Sequence, residues 1–265
     1  MMPGALLVEG LSVGQLEHSD QRPGMKTGSR NVHRKRKVLP RMPHRRIRRL
    51  RLQAQALMTP TRTIFSLIGI GIVMTALVWV APAERTLGTG IRSVYLHVAV
   101  TWAGLTGLWA AGCVGAILLF HRQPRLERAL FPIGFAGLTL YTLGFAFSLL
   151  AATVNWGGVL WGEPRVALAI RIITAGVLVL SLNLFPLGRR FKGFAWTVFA
   201  AYVAWSLQIT PLYFHPTNPI GTSTSLGIRM TFYALFVLAL AACAILALRF
   251  AGVAGPGHRE TRSGQ

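Results

Sequence analysis

Between Ser93 and Phe120 the chain reads SVYLHVAVTWAGLTGLWAAGCVGAILLF, without one Asp, Glu, Lys or Arg. A helix crosses the hydrocarbon core of a bilayer with about 20 apolar residues, so this stretch is long enough to span it. Five further predominantly apolar stretches lie at roughly 63–82, 130–153, 165–187, 194–211 and 226–250. The expected fold is all-α: a polytopic membrane protein with six transmembrane helices. Composition agrees, with 52% hydrophobic and 13% charged residues, against about a quarter charged in a soluble domain.

The net charge of +21 needs locating before it is interpreted. Thirteen of the 28 lysines and arginines precede Met58, densest at Arg34-Lys35-Arg36-Lys37 and on through Arg51. A basic tail against anionic lipid is the plain reading. The stretch has no interleaved aromatics and no motif, so no nucleic acid is expected as a partner, whereas membrane lipid is. Residues 1–57 are read as a disordered basic extension, with Met58-Thr-Pro-Thr-Arg62 as an alternative start running straight into the first span. Residues 58–250 form the membrane domain, and 251–265 a tail.

Charge also orients the spans. His121 to Arg128, Gly188 to Lys192, and the tail from Arg249 are basic, as is the N-terminal stretch. In a six-span chain all of these fall on one side, and the positive-inside rule makes that side, with both termini, cytoplasmic. The outer connections are then about 83–92, 154–164 and 212–225. Ala81-Pro82-Ala83 looks like a cleavage site, but the apolar run before it is long for a signal peptide, which favours an uncleaved helix.

Gly107, Ala111 and Gly115 recur at four-residue spacing in the second span, a pattern that lets helices approach closely. Pro186 and Pro211 sit at span ends. Cys113 and Cys243 lie in separate apolar runs with no CxxC or CxxCH pattern; buried cysteine behaves as a small hydrophobe, and neither is given a redox role.

The outer side gathers the chemistry. His97 and His215 stand where apolar runs meet outer connections, and between them in sequence lies the loop Trp156-Gly157-Gly158-Val159-Leu160-Trp161-Gly162-Glu163-Pro164-Arg165. Imidazole is the commonest metal ligand, and tryptophan gives flat apolar faces at a membrane interface. A lone interfacial histidine is more often a polar cap. Two on one face beside a Trp-Gly loop suggest a platform for a flat, metal-bearing ligand. His121 belongs instead to the inner basic cluster.

The same residues resemble a known family. Tyr95-Leu96-His97-Val98-Ala99-Val100-Thr101-Trp102 is similar to the H-V-P-x-A-W stretch of the CcmC-type haem-handling proteins of cytochrome c biogenesis, with His97 and Trp102 in register. Trp156 to Arg165 resembles that family's W-G-T-W-W-V-W-D-A-R signature without a gap: Trp156, Gly157 and Arg165 match, and Glu163 replaces the aspartate. His215, in Tyr213-Phe214-His215-Pro216, occupies the place of the second outer histidine. The similarity covers about residues 60–250. Val159, Leu160 and Gly162 stand where the family has tryptophans, and Trp161 partly compensates, so a thinner aromatic floor is expected.

The resemblance implies a haem-binding protein of a bacterial inner membrane that is not an enzyme. It implies haem as a transported ligand with bis-His iron through His97 and His215. The partners it implies are a membrane-anchored haem chaperone, an ABC-type ATPase and a second membrane subunit. The residues suit this chemistry. Haem iron takes two axial imidazoles, and Trp102, Trp156 and Trp161 can face the porphyrin. Propionates favour arginine, and Arg92, Arg165, Arg171 and Arg229 lie near outer span ends. Glu163 can orient a ligating imidazole or pair with Arg165. Arg171 is either a functional intramembrane charge or snorkels outward.

The rivals are a haem-lyase or synthetase subunit, a permease subunit of an unrelated ABC exporter, and a scaffold acting through its basic tail. The sequence holds no Walker-type phosphate loop, so ATP hydrolysis would belong to another chain. It holds no HExxH and no ladder of acids and histidines within the spans. Synthetase-type relatives are expected to carry extra histidines mid-membrane; their absence here favours delivery over synthesis.

Overall fold

The computed structural model describes residues 59–211, 220 and 223–253, and among these described residues there are six α-helices. They are α1 (Pro60–Val80), α2 (Ile91–Phe120), α3 (Pro124–Trp156), α4 (Pro164–Ser181), α5 (Arg189–Ile209) and α6 (Leu226–Val253). A short 3-10 turn, Leu182–Leu184, extends α4. The described residues contain no strand, only an isolated bridge between Glu84 and Gly88 in the α1–α2 connection. All belong to the unit His44–Gln265. The expected extension 1–57 lies outside the described residues. Of the expected tail 251–265, Ala251 to Val253 continue α6 and the rest lies outside them.

Helix starts follow proline. Pro60, Pro124 and Pro164 each stand in the first turn of their helices, where a missing N–H costs nothing and φ is already helical. This moves one boundary well away from expectation. The third span was expected from 130, yet α3 begins at Pro124, so Arg125 to Arg128 form helix rather than connection. The fifth likewise begins at Arg189 rather than 194. Charged residues can fold as helix beyond the hydrocarbon layer, which hydropathy alone does not register.

Helix ends have equally local causes. The fourth span was expected to reach 187, but α4 stops at Ser181 and the 3-10 turn at Leu184. Pro186 drives Phe185 into extended geometry (φ −90°, ψ 153°). Asn183 then donates to Val179 O and Leu180 O, satisfying carbonyls the helix end leaves open. α3 ends at Gly157, whose φ of 74° is the left-handed geometry of a helix stop.

Five helices (α1, α2, α3, α4 with its 3-10 turn, and α6) are long and apolar enough to cross a membrane. α5 falls short because Trp196, Tyr202, Trp205 and Gln208 dilute its apolar character and its first turn is basic. The surface agrees with lipid as solvent. Phe65, Ile72, Trp79, Leu178, Leu226 and Val237 are all well exposed on the helices, a belt that water would not tolerate on a monomer. The chain is thus a multi-pass, all-helical membrane protein.

α2 is the central helix, packing on α1, α3, α5 and α6. Lipid tails are as apolar as leucine, so close backbone approach rather than burial from water must hold such helices together. Gly107 meets Gly137 of α3: a Cβ on Gly107 would lie 2.6 Å from the Gly137 Cα. Just over two turns further on, the contact changes partner. A Cβ on Gly115 would lie 2.6 Å from Gly193 O of α5. The expected small-residue stripe therefore serves two neighbours. At the far end of the bundle, Glu127 of α3 pairs with Arg189 of α5 (Oε2 to Nε, 3.2 Å).

Candidate functional site

The ends of all six helices meet at the other end of the bundle. Arg92 Nε donates to Ala81 O (3.2 Å), and the Tyr95 hydroxyl donates to Pro82 O (3.4 Å), tying the start of α2 to the α1–α2 connection. Asn155, in the last turn of α3, has its Nδ2 within reach of Gly90 O (3.2 Å), Ser93 Oγ (3.1 Å) and Ala151 O (2.8 Å). Arg165, opening α4, donates from Nη2 to Leu207 O near the end of α5 (2.8 Å). Ile220 and Ile228 share an apolar cluster with Ala81 and Ile91, bringing the start of α6 to the same end. The flanks of the three connections expected on one side are therefore neighbours.

His97 lies about 9 Å along α2 from Ile91, in its second turn. Its ring is half-buried at the seam with α3. Nδ1 stands 2.9 Å from the carbonyl oxygen of Gly144, and Thr101 Oγ1 lies 3.3 Å from the same nitrogen. A carbonyl only accepts, so Nδ1 carries a proton. The lone pair of the neutral ring then resides on Nε2. Gly144 permits this approach, since a Cβ there would strike Thr101.

The tryptophan loop ends on a buried acid and leads into a part-buried arginine contact. Glu163, immediately before α4, is 1% exposed despite its carboxylate. Its charge acts on Arg165, which also neighbours Tyr141 of α3. Arg165 further holds α5 through Leu207, while its Nε is buried with no partner. Its observed contacts are those of a clamp between α4 and α5. The glycines divide: Gly157 stops α3, whereas a Cβ on Gly158 or Gly162 would meet nothing within 4 Å.

The remaining site residues scatter. Trp156 closes α3 at 39% exposure, and Trp161 is 66% exposed in the loop. Trp102 is 48% exposed, but it follows His97 by five residues. Helical geometry carries it about 7.5 Å further along and roughly 140° around α2, so His97 and Trp102 do not share a face. Arg171 is exposed and follows Arg165 by six residues, roughly 120° away around α4. Arg92 is committed to Ala81 O, and Arg229 is exposed on α6. His215, with Tyr213 and Phe214, lies outside the described residues. Among the described residues no three His, Cys, Asp or Glu side chains cluster as a metal-binding group.

Sequence reading missed Asn155, Tyr141 and Gly144. Asn155 carried a signal, as an amide at the end of an apolar run. Gly144 and Tyr141 matter only through what crosses from a neighbouring helix. Among known proteins, no family model matches the chain, and no curated protein matches it.

Proposed function

We propose that this chain is a six-span haem-handling protein of a bacterial inner membrane. In this reading it carries haem as cargo at its extracytoplasmic end and passes it to a membrane-anchored chaperone during cytochrome c maturation. α5 is the sixth crossing, with its basic first turn and both chain termini on the cytoplasmic side. His97 Nε2 and His215 are the axial ligands.

The observation that carries this reading is the bond from His97 Nδ1–H to Gly144 O. A ligating imidazole characteristically donates its other N–H to a fixed acceptor, which sets the tautomer and the ring plane. Here that acceptor is a helix carbonyl, which cannot rotate away. Trp156 and Trp161, both partly exposed, offer apolar faces to a porphyrin. Glu163 and Arg165 hold the loop that bears Trp161. Arg165 is a positioning residue in this scheme, because its guanidinium bonds the Leu207 backbone. Trp102 contributes to the lipid belt rather than to the porphyrin floor. An ABC-type ATPase and a second membrane subunit would supply the energy-dependent step.

The test is alanine substitution at His97 and at His215 in protein purified from haem-replete cells. Each variant is expected to lose most of its bound haem, with a shifted Soret band in what remains. Unchanged haem content and spectrum in both would reject the ligand pair.

A further inference from the structure

The opposite end of the bundle carries a cleft of about 240 Å³ between the end of α2 and the start of α5. It is lined by Leu118, His121, Arg122, Gly188, Arg189 and Arg190. We propose that it is a phosphate-recognition site that seats the headgroup of an anionic phospholipid. This does not rest on the haem reading.

Charge makes the first part of the case. Three guanidinium groups border the cleft, and among the described residues one of them, Arg189, is engaged with a carboxylate, Glu127, at 3.2 Å. Arg122 and Arg190 are exposed and have no ion-pair partner among the described residues. Arg122 of the α2–α3 connection and Arg190 of α5 can grip one phosphate from two sides with planar, multi-donor forks. The cleft is smaller than the roughly 300–1,000 Å³ sites that take drug-sized ligands, which suits a headgroup fragment. The first N–H groups of α5 add positive potential at its floor.

The surroundings select lipid over a free anion. The residues next to the cleft in sequence are bulky, apolar and exposed: Ile117 and Phe120 on α2, Phe191 and Phe194 on α5. A phosphate ion has no use for them. Acyl chains below a headgroup would lie against them. Basic pockets between transmembrane helices recur as headgroup sites on the cytoplasmic side of membranes.

The experiment is a titration of full-length protein in zwitterionic detergent, with bound lipid counted by native mass spectrometry. Phosphatidylglycerol should bind and phosphatidylcholine should not. Arg122→Gln combined with Arg190→Gln should weaken phosphatidylglycerol binding by roughly thirtyfold, at about a factor of five per surface arginine. Arg122→Lys with Arg190→Lys keeps the charge and should keep most of the binding, which separates recognition from misfolding. Arg249→Gln, a basic residue elsewhere on α6, should leave binding unchanged. Equal binding by the double glutamine variant, or an equal loss in Arg249→Gln, overturns the site. Inorganic phosphate binding as tightly as phosphatidylglycerol overturns the lipid assignment in favour of a free anion.

Discussion

The imidazole of His97 and the backbone of Gly144 meet across the seam of α2 and α3, with Nδ1 2.9 Å from the carbonyl oxygen. This places a side-chain donor on a carbonyl that is already part of a helix, in a seam closed by Thr101 packing against the same glycine. The ring is thereby held in one tautomer and one orientation.

Gly144→Ala tests that relationship. The added Cβ would strike Thr101, so α2 and α3 must part locally. Overpacking of this kind costs about 1–3 kcal/mol. The expected outcome is a lowered unfolding midpoint in detergent and, on the haem reading proposed above, reduced haem retention. A variant with native stability and native haem spectrum would show that the seam does not position His97.

Gly107→Val should be more damaging than Gly69→Val. A Cβ at Gly107 lies 2.6 Å from the Gly137 Cα, backbone that cannot yield, whereas a Cβ at Gly69 meets nothing within 4 Å. Thermal unfolding of the two variants in the same lipid should differ by at least about 1 kcal/mol. Equal stability would remove the close α2–α3 approach from the account of how the bundle holds.

Asn155→Leu removes the donor that faces Gly90 O and Ser93 Oγ. Gly90 O keeps its bond from Ser93 Oγ, so the loss is that of ordinary hydrogen bonds, about 0.5–1.5 kcal/mol. Amide exchange should rise in the first turn of α2 while the middle of α2 stays protected. Exchange that is uniform along the helix, or unchanged, would deny Asn155 this local role.

Glu84 gives the α1–α2 connection a pH dependence. Its carboxylate accepts from the amides of Leu87 (3.0 Å) and Thr86 (2.8 Å), and these bonds hold its pKa below the ordinary 4.5. A depressed folded pKa stabilises the turn fully above the unfolded value. That contribution fades as pH falls through the lower folded value. Protection of the Thr86 and Leu87 amides should therefore drop in acid, and Glu84→Gln should show no such transition. Protection that is independent of pH in the native chain would contradict the assignment.

Much of the architecture was legible from residue types. Apolar runs marked every helix, and Pro60, Pro124, Pro164 and Gly157 carry the local rules by which helices start and stop. Two helix starts were missed where charge and helix coincide, at Arg125 to Arg128 and Arg189 to Lys192, and one end was missed ahead of Pro186. Hydropathy reports solvent preference, while helix geometry depends on backbone hydrogen bonds, so the two part company at the membrane surface. The site was less legible. His97 and Trp102 lie five residues apart in one motif, yet the pitch of the helix turns them to different faces. Arg165 and Glu163 were visible, but the Leu207 carbonyl that takes up the guanidinium belongs to another helix.

Residue order alone therefore determined that this chain fills a bilayer with helices, because the transfer of apolar side chains and the conformations of proline and glycine are local properties. Tertiary structure decided the partners: which neighbour Gly107 and Gly115 each touch, where Arg165 spends its hydrogen bonds, and which nitrogen of His97 bears the proton. Those outcomes depend on atoms brought within 3 Å from distant parts of the chain, and only packing brings them there.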